Sequence, residues 1–322
     1  MLTCPKILEA YIVWGEPNKL NLDVSKLKRR AKFWGMFFRW NRVSLTTKFK
    51  IRILVSLESF RRSLDGYICD GIKLYRNLPR QDHLIQSFDW KTLIILDACR
   101  YDIFKQNIYN YLNGLLMPVL SPSCETRHWL KTIWASKPWK NVVYISSNPF
   151  ANKRTLRTVA KVHEVWRYNW IDNYTATDPS TLSEAFRIET LRLKLDGKSE
   201  NMRFVLHYMK PHAPYKNFTK ILRKHVPEYD VFLANNVGNT AVMLSILYEL
   251  FKKKEAVDAF LKKLYIENLK WVLKEVSKII DRLPKPVVIT ADHGELLGEY
   301  NLYFHPKINL PQLRIVPWFT IK

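Results

Sequence analysis

Acidic residues, paired cysteines and long apolar runs are what this sequence has least of. No stretch of eighteen or more apolar residues occurs, which argues against a membrane-spanning helix. The N-terminus, MLTCPKILEAYIVWGEPNKL, carries a Glu inside its apolar stretch and lacks a small-residue cleavage site, so it does not read as a signal peptide. The four cysteines, Cys4, Cys69, Cys99 and Cys124, show neither a CxxC pair nor a framework spacing, which argues against a disulfide scaffold. Internal repeats and low-complexity segments are absent too, which excludes a repeat array. Together these absences predict a reducing, cytoplasmic setting.

The shortage of acid has the largest consequence. Lysine and arginine number 52 against 29 aspartates and glutamates, a formal net charge of +23. Such a surplus draws a protein toward anionic lipid, nucleic acid, or phosphorylated or sulfated substrates, and does not choose among them. Between Asp23 and Glu58 no acidic residue occurs at all, while Lys26, Lys28, Arg29, Arg30, Lys32, Arg39, Arg42, Lys48, Lys50 and Arg52 fall there. Trp34, Phe37, Phe38 and Trp40 are interleaved with them. Residues 1–88 are therefore set apart as a basic, aromatic-rich helical region. Three roles suit the arm 26–52. Its aromatics could pack on the main core with the lysines merely solvated. The arm could lie on an anionic membrane, at its inner face. Nucleic acid, with bases stacked on the aromatics, ranks third.

What is present points to one globular α/β domain over 89–322. The chain is 47% hydrophobic and 25% charged, as a packed core requires. Thr92–Leu96, Asn141–Ile145, Arg203–Tyr208, Val287–Thr290 and the stretch near Ile315–Ile321 read as strands. Helices are predicted from Asp102, from Thr181 to about Leu195, and over about 239–253 and 256–282. Thr181 and Glu184 form a capping-box pattern, and Gly197 ends that helix. Strands alternating with helices imply a mostly parallel central sheet sandwiched by helices.

Four stretches carry the chemistry. In VVITADHGELLGE, 287–299, a buried strand ends on Asp292 and His293. Ligands bind at strand ends in α/β sheets, and adjacent oxygen and nitrogen donors suit zinc or manganese. A helix-capping Asp beside a surface His is the plainer alternative. In WKTLIILDACRYDIF, 90–104, Asp97 ends a second strand in the same way. A haloacid-dehalogenase pattern needs another Asp two residues later, where Cys99 stands. In SPSCETRHWLKTIW, 121–134, hydroxyls and a thiol precede an apolar helical pattern. They fit either an N-cap or a nucleophile at a helix N-terminus. In RFVLHYMKPHAPY, 203–215, His207 and His212 flank Lys210, and His305 follows Asp292 by about a dozen residues. Four of only eight histidines thus accompany strand-end carboxylates.

The ordered set TLIILDACRYDIF, HYMKPHAPY and VVITADHGELLGE…FHP resembles the alkaline phosphatase superfamily. It is most similar to the sulfatase-like hydrolase and transferase branch found in archaea. The resemblance covers roughly 88–310 and implies that superfamily's α/β fold. It also implies one or two divalent cations, from among Zn, Mn, Mg and Ca. Asp97, Asp292 and His293 would bind one of them, together with the nucleophile. By position that nucleophile is Thr126, in ETRHWL. His207, His212 and His305 would form a second metal site, or hold substrate oxygens and protonate the leaving group. Arg127 and Lys210 would neutralise the transferred group. Cys124 is followed by Glu, Thr, Arg and His, which departs from the sulfatase C/S-x-P/A-x-R pattern and speaks against formylglycine. The expected function is a metal-dependent hydrolase or transferase of phosphate mono- or diesters, with a lipid- or glycan-linked substrate in view. Sulfate-ester hydrolysis is the first alternative. A weakly active or inactive member that binds membrane or nucleic acid is the second.

Overall fold

The computed structural model describes residues 77–135, 137–168, 178–197, 201–218, 244, 247–248 and 251–322. The basic arm 26–52 and most of the helix expected over 239–253 lie outside the described residues.

Seven strands form one mixed sheet. In chain order they are β1 (Thr92–Leu96), β2 (Leu115–Leu120), β3 (Trp139–Ser146), β4 (Val159–Glu164), β5 (Arg203–Tyr208) and β6 (Val287–Thr290). The short β7 (Leu296–Leu297) and β8 (Tyr303–Phe304) pair separately, and β9 (Ile315–Ile321) closes the set. The order across the sheet is β2-β9-β6-β1-β5-β3-β4. From β6 to β4 neighbouring strands run parallel, whereas β9 is antiparallel to both β6 and β2.

The central strands read in sequence as continuous apolar runs because they are covered on both faces. All five residues of β1 and all four of β6 are buried. Each fully buried Leu, Ile or Val in such a strand contributes roughly 1.5–3 kcal/mol. The edge strands were not legible in the sequence. In β2 most residues are only half-buried and Pro118 interrupts the run, while β4 has a single buried residue, Val162. Half-covered edges lack the apolar run that marks a central strand, and proline is tolerated there.

Six helices are described: α1 (Gln81–Ser87), α2 (Tyr101–Asn107), α3 (Thr126–Trp134), α4 (Ser180–Leu195), α5 (Lys254–Ile279) and α6 (Pro311–Arg314). In α3 the apolar positions Trp129, Leu130, Ile133 and Trp134 all face the core. The capping box expected at Thr181 is not formed. Asp178 takes its place, its Oδ1 accepting the Ser180 N–H at 2.9 Å, while Thr181 Oγ1 donates to the Asp178 carbonyl. Glu184 instead pairs with Arg187, one turn along. Among the described residues no helix is long and apolar enough to cross a membrane.

Candidate functional site

β1 and β6 are neighbours in the sheet, so their ends bring Asp97 and Asp292 together from positions far apart in the chain. The turn after each strand is built for close approach. Ala98 adopts φ 59°, a left-handed conformation that costs an alanine about 1–2 kcal/mol. Its N–H donates to Asp292 Oδ1 at 3.1 Å, and its carbonyl accepts the Tyr265 hydroxyl at 2.7 Å. The strain is therefore held by bonds from both the opposite strand end and α5. Gly294 answers why glycine follows the Asp-His pair. A Cβ there would lie 1.9 Å from the Gln312 carbonyl oxygen, so only glycine fits.

Asp97, Asp292 and His293 are all buried, and one ligand atom from each lies within 4.8 Å of the others. His293 Nε2 is 3.5 Å from Asp292 Oδ2 and 3.8 Å from Asp97 Oδ1. Its Nδ1 faces the Gly294 carbonyl at 2.8 Å. That bond requires the proton on Nδ1 and leaves the Nε2 lone pair turned toward the carboxylates, the tautomer a metal ligand needs. Thr126, the first residue of α3, enters the same cluster. Its Oγ1 donates to Asp292 Oδ2 at 2.6 Å and lies 3.3 Å from His293 Nε2.

The electrostatics of this cluster are in conflict. Burial and the neighbouring Asp292 charge push the Asp97 carboxyl well above its ordinary value, against a hydrogen bond from Asn148. Burial also raises Asp292, but His293, His207, Thr126 and the Ala98 N–H together hold it below its ordinary value. Two adjacent buried carboxyls cannot both ionise without a counter-charge. Asp97 Oδ1 and His207 Nε2 are moreover buried without a hydrogen-bond partner among the described residues. A divalent cation fits this donor set: it would satisfy the orphaned atoms and let both carboxylates ionise.

The remaining histidines fall into two places. His207, on β5 beside β1, sits with its Nε2 3.9 Å from Asp97 Oδ2, and its Nδ1 meets the Tyr144 hydroxyl at 2.8 Å. Burial pushes it down to about 4. His212 and His305 meet each other, Nε2 to Nε2, at 2.9 Å. His305 also packs on His293, with ring centroids 4.6 Å apart. Burial lowers both members of this pair, His212 to about 4. Two ring nitrogens at that separation either share one proton or jointly hold a cation.

Lys210 and Arg127 differ in setting. Lys210 is 1% exposed, and its Nζ donates to the carbonyls of Pro214 and His212. Burial lowers its ammonium to about 7, opposed by Asp97. Arg127 is exposed at the start of α3, its Cζ 4.2 Å from the centre of the Phe150 ring. Cys124 packs beside Leu296, Leu310 and Leu313, and burial raises its thiol. An apolar setting of that kind suits an inert thiol better than a reactive one.

Several supporting residues escaped the sequence reading. Asn148, in the loop SSNPF, donates from Nδ2 to Asp97 Oδ2 and accepts the Phe150 N–H on Oδ1. Ser121 donates to the Asp292 carbonyl at 2.5 Å. Gln81 accepts from Trp129 Nε1 at 2.8 Å and donates to the Ala291 carbonyl at 2.6 Å, which ties α3 to the end of β6. Glu295 is fully buried with both carboxylate oxygens unpartnered among the described residues, and burial with the nearby Asp292 pushes it well up. The strand-end rule that selected Asp97 and Asp292 applies equally to Asn148, two residues past β3.

Fold and site together define an α/β protein with a mixed, mostly parallel sheet and a buried Asp-Asp-His cluster at its strand ends. No family model matches the chain, and no curated protein matches it in sequence. Among solved structures, the integral membrane protein lipooligosaccharide phosphoethanolamine transferase A from Neisseria meningitidis aligns over 92% of this chain and 60% of that one. The two are 15% identical, with a TM-score of 0.49. This chain therefore spans less than two thirds of that transferase's length. The soluble domain of the same transferase aligns over 75% of this chain and 79% of that one, at 16% identity and a TM-score of 0.47. A phosphonate monoester hydrolase from Silicibacter pomeroyi aligns over 71% of this chain and 67% of that one, at 12% identity and a TM-score of 0.41.

Proposed function

We propose that this protein is a metal-dependent enzyme of the alkaline phosphatase superfamily that hydrolyses or transfers a phosphate ester, with Thr126 as nucleophile. One observation carries it. The Thr126 hydroxyl is buried, 2.6 Å from Asp292 Oδ2 and 3.3 Å from His293 Nε2, in the cluster that also holds Asp97.

Asp97, Asp292 and His293 would hold a divalent cation, with His207 beside them. When bound, such an ion acidifies a nearby hydroxyl and offsets charge on a phosphoryl group. The chain's own residues supply the rest. The Thr126 Oγ–P bond forms as the ester P–O bond breaks. The threonine proton passes to Asp292 Oδ2, the atom that already accepts its hydrogen bond. The departing oxygen would take its proton from an imidazolium of the His212–His305 pair, the charged form that a bound anionic ester favours against burial. Water, or an acceptor alcohol, then attacks phosphorus in line and restores Thr126. Arg127, next to Thr126 and now over Phe150, would supply a guanidinium to the charge that spreads over the phosphoryl oxygens. Lys210 braces the loop that carries His212.

The test is turnover of nitrophenyl phosphate, bis-nitrophenyl phosphate and nitrophenyl sulfate with each of several divalent metals. Phosphate-ester turnover is expected, abolished by chelator. Thr126→Ala is expected to retain about a thousandth of it or less. Acid-quenched wild type should carry a phosphoryl adduct on the Thr126 peptide. Undiminished turnover in Thr126→Ala removes the nucleophile. Activity confined to the sulfate and lost in Cys124→Ala replaces the whole proposal.

A further inference from the structure

A cationic cleft opens one loop away from Asp97. It is lined by Asn152, Lys153, Arg154, Glu164 and Arg167. A continuous chain of bonds joins it to the centre. Asn148 binds Asp97, the Phe150 N–H binds Asn148 Oδ1 at 2.7 Å, and Asn152 Nδ2 donates to the Phe150 and Pro149 carbonyls. Asn152 Oδ1 then accepts the N–H groups of Arg154 and Thr155 at 3.0 and 3.2 Å. Arg127, beside Thr126, lies over Phe150 and completes a path from the nucleophile to the cleft.

Charge in the cleft is unbalanced. Glu164 is its one carboxylate, and it is already engaged: Oε2 by Arg167 Nε, and Oε1 by the Lys153 N–H at 2.9 Å. Arg167 is fixed over Trp166, its Cζ 4.3 Å from the ring centroid. Among the described residues no carboxylate pairs with the side chain of Lys153 or Arg154, and both are exposed. A concavity lined by one sign of charge focuses the field and draws an anion of matching form. The bonded path from Asp97 to the cleft runs through Asn148, Phe150 and Asn152, so the cleft is a place apart from the carboxylate cluster.

We propose that this cleft binds a second phosphate-type anion, carried by the same molecule whose ester reacts at Thr126. The substrate class is then a compound with two phosphate-type groups, rather than a simple monoester. This rests on the function proposed above.

The experiment is calorimetric titration of the full chain with a series of alkanediol bisphosphates, each compared with the alkyl monophosphate of the same length. At least one bisphosphate should bind about tenfold more tightly than its monophosphate, as a second charge-assisted contact allows. That ratio should collapse in the double variant Lys153→Ala/Arg154→Ala. It should persist in Lys105→Ala/Lys140→Ala, which removes as much charge from exposed positions elsewhere. No advantage at any length overturns the proposal, as does an advantage that survives in the first variant or vanishes equally in the second. Run with Thr126→Ala as the background, which leaves the esters intact, the titration reads binding without turnover, so the two failures separate. Ester turnover without the advantage sinks the cleft alone, whereas the advantage without turnover sinks the function and leaves the cleft standing.

Discussion

The carboxylate cluster and the imidazole pair lie side by side, joined where His305 packs on His293. They differ in what each must hold. In the cluster, two buried carboxyls face one imidazole, and Asp97 is driven up while Asp292 is held down. A proton on Asp97 relieves that conflict by neutralising one carboxyl, whereas a cation relieves it with both ionised. The pair has no carboxylate of its own. His212 and His305 are both pushed below their ordinary values, and a neutral pair sharing one proton satisfies the 2.9 Å contact. The first site therefore fits a metal better than a proton, while the second suits either. Neighbouring sites can thus share a wall and differ in what they favour.

The sharpest way to break this comparison is Asp292→Asn. It removes the acceptor of the Thr126 hydroxyl and one of the two carboxylates. Cation affinity, measured by metal content against a chelator of known strength, should fall by more than about 100-fold, beyond what supporting residues cost. Turnover should fall by about a thousandfold. If metal content holds at one equivalent, the cluster is not where the demand lies.

His305→Gln should act on the other side. The first equivalent of cation should remain bound. Turnover should drop about a hundredfold, the usual loss when a positioned proton donor is removed. The loss should be smaller for nitrophenyl esters, whose leaving oxygen needs little protonation, than for alkyl esters. Equal losses on both substrates would mean the pair serves a role other than the leaving group.

Legibility in the sequence followed coverage. Strands buried on both faces, β1, β5, β6 and β9, were legible because continuous apolar runs record full burial. The edges β2 and β4 were not, because half-exposed residues leave no run to see. At the site, residues of striking chemical type stood out: an Asp-His pair, a strand-end Asp, clustered histidines. Asn148, Ser121 and Gln81 did not, since a neutral amide or hydroxyl becomes a site residue only through the partner it meets. Gln81 meets Ala291 across 210 positions of chain, a relation no local pattern contains.

Asn148→Ala tests that point with a smaller effect. It leaves every candidate ligand in place but frees Asp97 Oδ2 and the Phe150 N–H. Cation affinity or turnover should fall about 10–100-fold, the range found when a group that orients a ligand is lost. A comparable change in Asn148→Asp, with affinity moving the same way, would point to general loosening of the loop. An added carboxylate beside Asp97 should instead deepen the demand for a cation and raise affinity.

Lys210→Met gives the mildest test, read as stability against pH. The ammonium is lowered from 10.5 to about 7 in the folded chain, chiefly by burial, with Asp97 opposing. Between those values the unfolded chain holds a proton that the folded one lacks, so wild-type stability rises with pH across that window. Below about 7 both states are protonated, and the buried charge exacts its full cost. Replacing the lysine removes this dependence. The wild type should therefore gain on the variant between about pH 7 and 10, by an amount on the order of 3–5 kcal/mol if no cation sits on Asp97. A divalent ion there repels the ammonium and extends the gain to lower pH. The same titration repeated with chelator and with metal thus asks whether the cluster's cation is felt at Lys210. A difference flat with pH in both would mean that Lys210 keeps its proton in the folded chain across this window, as an unburied lysine does.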